Sequence, residues 1–238
     1  MTRQYTLPLP QSEARTVEDF LPSAANTQAV RLVLQTPPSA WPSHLLVLCG
    51  PEGCGKSHLA SIWRAQHQAQ AVILGDELLA SIVEGSCAAK TLCLEDADRC
   101  QDDLAAQEWL QHFYNATKTA AIPVLLTARK PPAQWGLAIK DIETRLKSCA
   151  CAVIEEPDDD LVPSLLLKLF RDRQLMVEAG VVQYLATRIE RTGAAILRLV
   201  CQLDEAALET GHKISVPFVQ KVLAKHQPEA EDNHDQDS

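Results

Sequence analysis

The chain has 238 residues, 46% of them apolar, and a formal net charge of −9, so it can bury a sizeable core in one large domain or two small ones. An acidic balance excludes a general nucleic-acid binder, which needs a basic stripe. No apolar stretch approaches the ~20 residues of a membrane span, and without a signal peptide the eight cysteines read as reduced, mostly buried thiols of a cytoplasmic protein. Met1–Pro10 is extended, because Pro8 and Pro10 forbid a helix. Its spaced apolar residues Tyr5, Leu7 and Leu9 fit either a docking peptide or an ordinary N-terminus. Residues 26–35 form a helix with Val30, Val33 and Leu34 on one face, and the proline-rich stretch 36–42 is a loop.

The apolar block Leu45–Cys49 has the length and bulk of a buried strand, and His58-Leu59-Ala60-Ser61-Ile62-Trp63 carries helical periodicity. Between them runs Gly50-Pro51-Glu52-Gly53-Cys54-Gly55-Lys56-Ser57. Strand, glycine loop and helix together are what a phosphate-binding loop needs. The glycines turn backbone N–H groups inward, Lys56 adds a mobile positive charge and Ser57 offers a hydroxyl to Mg²⁺. The unpaired N–H groups at the start of the helix face the same phosphates. Cys54 reads as a tolerated small residue rather than an oxidation switch.

Strands are expected at 71–74, 91–94, 123–127 and 151–154, with helices at 77–83, 104–117 and 139–147. This alternation implies a parallel sheet covered on both faces, with the ligand at the carboxyl ends of the strands. Glu95 and Asp96 end the third strand. The first can hold Mg²⁺ through its water shell, with Ser57, and the second can orient or activate the attacking water. Trp109 reads as core. After Glu155-Glu156-Pro157 no strand follows. Helices at 158–173, 178–191, 193–209 and 216–225 make a small all-helical unit, with Ser215 suited to cap the last. The final twelve residues carry five acidic side chains and no Lys or Arg, which leaves about −4 on the rest. Such a tail is expected to be disordered and solvating. The histidines show no zinc-site spacing.

These residues resemble the AAA+ family, and within it the DnaA/Hda type. The carriers are Val17-Glu18-Asp19-Phe20 with Asn26, the segment Leu126-Thr127-Ala128-Arg129-Lys130-Pro131-Pro132, the segment Ile142-Glu143-Thr144-Arg145-Leu146-Lys147-Ser148, and Gln202-Leu203-Asp204 with residues 214–223. The shorter, Hda-like branch fits better. The chain stops after the helical unit, where DnaA continues into a DNA-binding domain. Gln4-Tyr5-Thr6-Leu7-Pro8-Leu9 is similar to the peptide by which Hda docks on the sliding clamp.

The resemblance implies an α/β fold: a five-stranded parallel sheet sandwiched by helices (13–156), followed by an all-helical lid (157–226), between a clamp-binding peptide (1–12) and an acidic tail (227–238). It implies ADP or ATP with Mg²⁺, bound by Phe20, Asn26, Pro51, Glu52, Gly53, Cys54, Gly55, Lys56, Ser57 and His58. Gln4, Tyr5, Leu7, Pro8 and Leu9 would bind the clamp. Arg145 would act in trans as a finger on the ATP of DnaA, or else would be a surface charge pairing with Asp141 one turn earlier. The expected partners are DnaA and the DNA polymerase III sliding clamp, with DNA touched only through the clamp and no membrane. Homo-oligomerisation is left open.

The chain departs from the family at three places. Ala194 stands at the sensor-2 arginine, with Arg198 one turn later as the remaining candidate to reach the phosphates. Cys149 replaces a second finger-segment arginine. Arg129 replaces an acidic sensor-1 residue. A negative regulator of replication initiation is therefore expected to stimulate hydrolysis by DnaA more than to hydrolyse ATP itself. The alternative is a DnaA-like or helicase-loader ATPase acting by its own turnover. A small-molecule kinase is disfavoured by the helical lid.

Overall fold

The computed structural model describes residues 20–226. Five strands, β1 (Leu45–Cys49), β2 (Gln70–Val72), β3 (Leu92–Leu94), β4 (Val124–Ala128) and β5 (Ala150–Val153), form one sheet in the order β2-β3-β4-β1-β5. All its pairings are parallel. β1 lies between β4 and β5, with Cys49 beside Ala128 on one flank and Val153 on the other. Every residue of β1 and β4 is buried, as expected for central parallel strands covered on both sides.

Alternation along β1 feeds two cores. Leu45, Val47 and Cys49 join the core beneath α3 (Leu78–Val83), α4 (Leu104–Thr119) and α5 (Lys140–Lys147). Leu46 and Leu48 face α1 (Thr27–Val30) and α2 (Lys56–His67), where Trp41 stacks on Trp63. Trp109 is partly buried against the first core, stacked on Phe113, with its indole N–H donating to the Asp76 carbonyl.

Helices α6 (Leu161–Asp172), α7 (Ala179–Ala186), α8 (Gly193–Thr210) and α9 (Val216–His226) enclose a separate core around Leu166, Phe170, Val200 and Val219. Thr192 caps α8 by accepting the Ala195 N–H, and Gly211 closes it in the left-handed region. The Ser215 carbonyl accepts the Val219 N–H at the start of α9.

Several boundaries differ from the periodicity reading by one residue or more. β2 ends at Val72, leaving Ile73 exposed at the sheet edge. β5 is assigned one residue earlier than expected, although the Ile154 N–H still bonds to the Cys49 carbonyl. The first helix passes into a wider π-turn over Arg31–Gln35. α7 stops at Ala186 rather than reaching residue 191, and a single further turn follows in which the N–H groups of Arg188 and Ile189 share the Leu185 carbonyl.

Candidate functional site

The loop 50–55 joins β1 to α2 at the carboxyl edge of the sheet, where chains of this topology bind ligands. Gly55, at φ +103°, immediately precedes α2. The buried Lys56 ammonium folds back onto its own loop, donating to the Gly50 and Pro51 carbonyls, each at 2.7 Å. Ser57 is exposed beside it. These are the donors a phosphate chain requires, with a lysine whose present partners are neutral carbonyls. Cys54 is half-buried, and burial raises its thiol despite the nearby Lys56 charge. A raised thiol is a poor nucleophile, which supports its reading as a small loop residue.

A cavity of about 190 Å³ opens between the sheet unit and the helical unit. Of the expected nucleotide residues, Phe20, Asn26, Gly53, Cys54, Gly55 and His58 line it. Pro51, Glu52, Lys56 and Ser57 lie in or just after the same loop without lining it. The Phe20 ring meets His58 edge-on at 5.5 Å and packs against Gly55. The Asn26 side chain is taken up locally: its amide donates to the Leu21 carbonyl and its oxygen accepts the Ser23 N–H, both at 2.9 Å. Asn26 therefore shapes the cavity wall by holding residues 21–26 in place. The opposite wall comes from the helical unit through Leu161, Leu165, Lys168, Leu169, Gly193 and Leu197.

Glu95 and Asp96 end β3, one strand removed from β1. Glu95 lies 3.8 Å from Arg64 of α2, and Asp96 pairs with Arg99 at 2.7 Å. The Asp96 backbone, at φ +52°, donates its N–H to the buried Thr127 hydroxyl of β4. That bond ties the carboxylate strand to its neighbour. Arg129, just past β4, donates its backbone N–H to buried Asp98, and its guanidinium stands 3.8 Å from Glu52 in the glycine loop. Arg129 thus reaches the glycine loop as a cation.

Arg145 is remote from these groups. Its Nε pairs with Asp141 at 2.8 Å, its Nη1 donates to Asn115, and its guanidinium lies 5.6 Å from the centre of the Tyr114 ring. The ion pair and a hydrogen bond from Gln111 hold the Asp141 carboxyl below its ordinary range. The surface pairing anticipated from the sequence is present in this conformation. Arg198 does not line the cavity. It is exposed and borders a different depression of the helical unit, with Tyr184, Arg188 and Gln220. Gln4, Tyr5, Leu7, Pro8 and Leu9 lie outside the described residues.

Three contributors escaped sequence reasoning. Gly193 brings the first turn of α8 against Gly53. Lys168 is the Lys or Arg lining the cavity among the described residues. Buried Gln107 bridges two segments: its amide nitrogen donates to the Cys100 and Gln101 carbonyls, and its oxygen accepts the N–H groups of Ala138 and Ile139, which lead into α5. Each acts through a tertiary contact that leaves no local pattern.

Residues 159–223 match the family model of the Hda lid domain. Domain III of the Thermotoga maritima replication initiation protein DnaA has a similar structure, with TM-score 0.75 and 17% identity over 91% of this chain and 98% of that one. AMPPCP-bound DnaA from Aquifex aeolicus gives TM-score 0.66 at 15% identity, covering 90% of this chain and 69% of that one. The Thermotoga maritima RuvB Holliday junction branch migration motor gives 0.65 at 16%, covering 89% and 72%. The structural likenesses establish the fold, a parallel five-stranded sheet followed by a helical unit. The lid match over residues 159–223 shows that the helical unit is similar to the Hda lid domain, and the structural likenesses show that the whole described chain shares the fold of DnaA domain III.

Proposed function

We propose that this chain is a nucleotide-bound adaptor that switches off replication initiation by stimulating hydrolysis of the ATP held by DnaA. Its lid type and DnaA-like fold support the wider reading of a DnaA-related replication regulator. The observation that carries the finer reading is the surroundings of Arg145. Its partners Asp141, Asn115 and Tyr114 all belong to α4 and α5, and none lines the chain's own cavity. An arginine so held, with about a third of its side chain accessible, suits a phosphate on a neighbouring molecule. A cation delivered to a γ-phosphate stabilises transition-state charge and is worth roughly 10³–10⁵ in rate.

The residues present fit a resident nucleotide. The loop 50–55 and the first N–H groups of α2 would hold its phosphates, with Lys56 exchanging its two carbonyls for phosphate oxygens. Phe20 and Asn26 would flank the remainder, and the lid would close over the cavity. Exposed Ser57 and the Glu95 carboxylate would attend a Mg²⁺ ion, which neutralises phosphate charge when bound. Glu95 and Asp96 are engaged by Arg64 and Arg99, and Arg129 adds a cation by the loop. These pairings favour a holding site, with ADP as its resident, over rapid turnover. Residues 4–9 would bring the chain to the DNA-loaded clamp.

The test follows the decay of ATP pre-bound to DnaA on clamp-loaded DNA, with and without this chain. Stimulated decay that is lost in both Arg145→Ala and the Leu7→Ala, Leu9→Ala double variant supports the adaptor. Unchanged decay, with ATP hydrolysed by the chain alone and lost on Glu95→Gln, would instead identify an ATPase acting by its own turnover.

A further inference from the structure

The family pattern supplies a lid cation from the start of α8, and here that position is Ala194. The structure shows why Arg198 does not take over: it borders the Arg188 depression rather than the cavity. The backbone of Ala194 itself lies against Gly53. The cavity nevertheless has a lid cation. Lys168, on α6, lines it between Leu165 and Leu169, opposite Phe20 and His58 of the sheet unit. Its ammonium is paired with Asp172 one turn along the helix.

We propose that Lys168 is the lid's ligand-binding cation, which leaves Asp172 to engage the phosphate chain of a nucleotide held in the interdomain cavity. The inference rests on the reading of that cavity as a nucleotide site. Three physical points carry it. Lysine has three donors and no acceptor, and Asp172 can take only part of that capacity. The pair is an (i, i+4) contact within one helix, so the ammonium can leave it by rotating its own stem without moving α6. A phosphate chain offers more negative charge than one carboxylate, within walls of leucine that strengthen electrostatic attraction. Glu155 also lines the cavity, and an acidic residue on the wall disfavours an anion unless a cation offsets it. The lysine's flexible stem allows the swing, where a forked guanidinium would be harder to detach from a carboxylate. Lid seating is then coupled to phosphate occupancy through α6 rather than through α8.

The test measures dissociation constants of adenosine, AMP, ADP and ATP, with Mg²⁺ for the last two, for the full chain and its variants. Lys168→Met keeps the aliphatic stem against the leucines. It is expected to weaken ADP and ATP about five- to twentyfold while leaving adenosine within about twofold, as loss of one charged hydrogen bond implies. Lys168→Arg should restore part of the loss, and Asp172→Asn should tighten ADP by about twofold or more. If Lys168→Met binds ADP like the wild type, or loses adenosine to the same degree, Lys168 makes no phosphate contact and the proposal falls. If the wild type binds none of the four, or Lys56→Ala leaves ADP binding intact, the nucleotide reading falls and takes Lys168 with it. Loss on Lys56→Ala without loss on Lys168→Met overturns the lid cation alone.

Discussion

A Cβ placed on Gly193 would lie 2.3 Å from the Gly53 carbonyl oxygen, and one on Gly53 would lie 2.4 Å from the Ala194 nitrogen. The glycine loop and the lid helix therefore meet backbone to backbone, at a separation that no side chain permits. Gly53 also has φ +76°, so a substitution there strains the loop as well. The contact explains how α8 can sit on the loop without contributing a side chain to it.

Gly193→Ala should push the lid off the loop, at an overpacking cost of about 1–3 kcal/mol. Gly180→Ala is the control, since a Cβ there meets nothing within 4 Å and α7 gains helix propensity. Urea unfolding and limited proteolysis should show a weakened lid in the first variant and a neutral or slightly stabilised one in the second. Equal behaviour would mean that the clasp does not restrain the lid.

Arg145→Ala should change global stability by about 1 kcal/mol or less, because its ion pair with Asp141 is an (i, i+4) contact at the surface with both side chains partly exposed. The same variant should abolish stimulated decay of DnaA-bound ATP. Asp141→Asn, which releases the guanidinium, should retain or raise that activity. An Asp141→Asn variant as inactive as Arg145→Ala would show that the pair is structural.

Gln107→Ala should cost about 2–3 kcal/mol, since it strips partners from buried backbone groups at both ends of the bridge. It should also lower trans stimulation, because the bridge fixes the entry to the helix that carries Arg145. Thermal unfolding and the decay assay check the two effects separately. Stability within 0.5 kcal/mol of wild type would refute the bridging role.

Mild acid should destabilise the chain through His44. Burial, then the Lys118 charge, pushes its imidazole below the ordinary value. The fold therefore prefers the neutral ring, and the unfolded chain binds the extra proton first. Stability is full above about pH 6.5, the unperturbed value, and falls as the pH drops through and below it. Asp141 and Glu143, both shifted down by cationic partners, lose their contributions only in more acidic solution. His44→Gln should flatten the fall in melting temperature between about pH 6.5 and 5. His67, also lowered by burial, would account for the remaining slope.

The sheet was legible because its central strands are short, wholly apolar runs. Leu45–Cys49 has the same bounds by periodicity and in the fold. Edge strands gave weaker signals, since Ile73 is as apolar as a core residue and yet faces outward at the sheet margin. The glycine loop was legible because φ restrictions and lysine chemistry impose residue types at fixed spacing. The place of Lys168 was not, because helical periodicity does not say which of the partly exposed side chains of α6 faces the sheet unit.

The sequence alone determined the alternation of strand and helix, the phosphate-type loop, the carboxylates that end the third strand and the change to an all-helical unit. Those features are local, each set by a few neighbouring residues and their backbone preferences. Tertiary structure decided the rest. It placed Gly193 on Gly53, turned Arg198 to another surface and Lys168 to the cavity, and joined Arg145 to Asn115 thirty residues away. Such contacts depend on how one element is rotated and seated against another, and that is fixed only when the cores of both units close together.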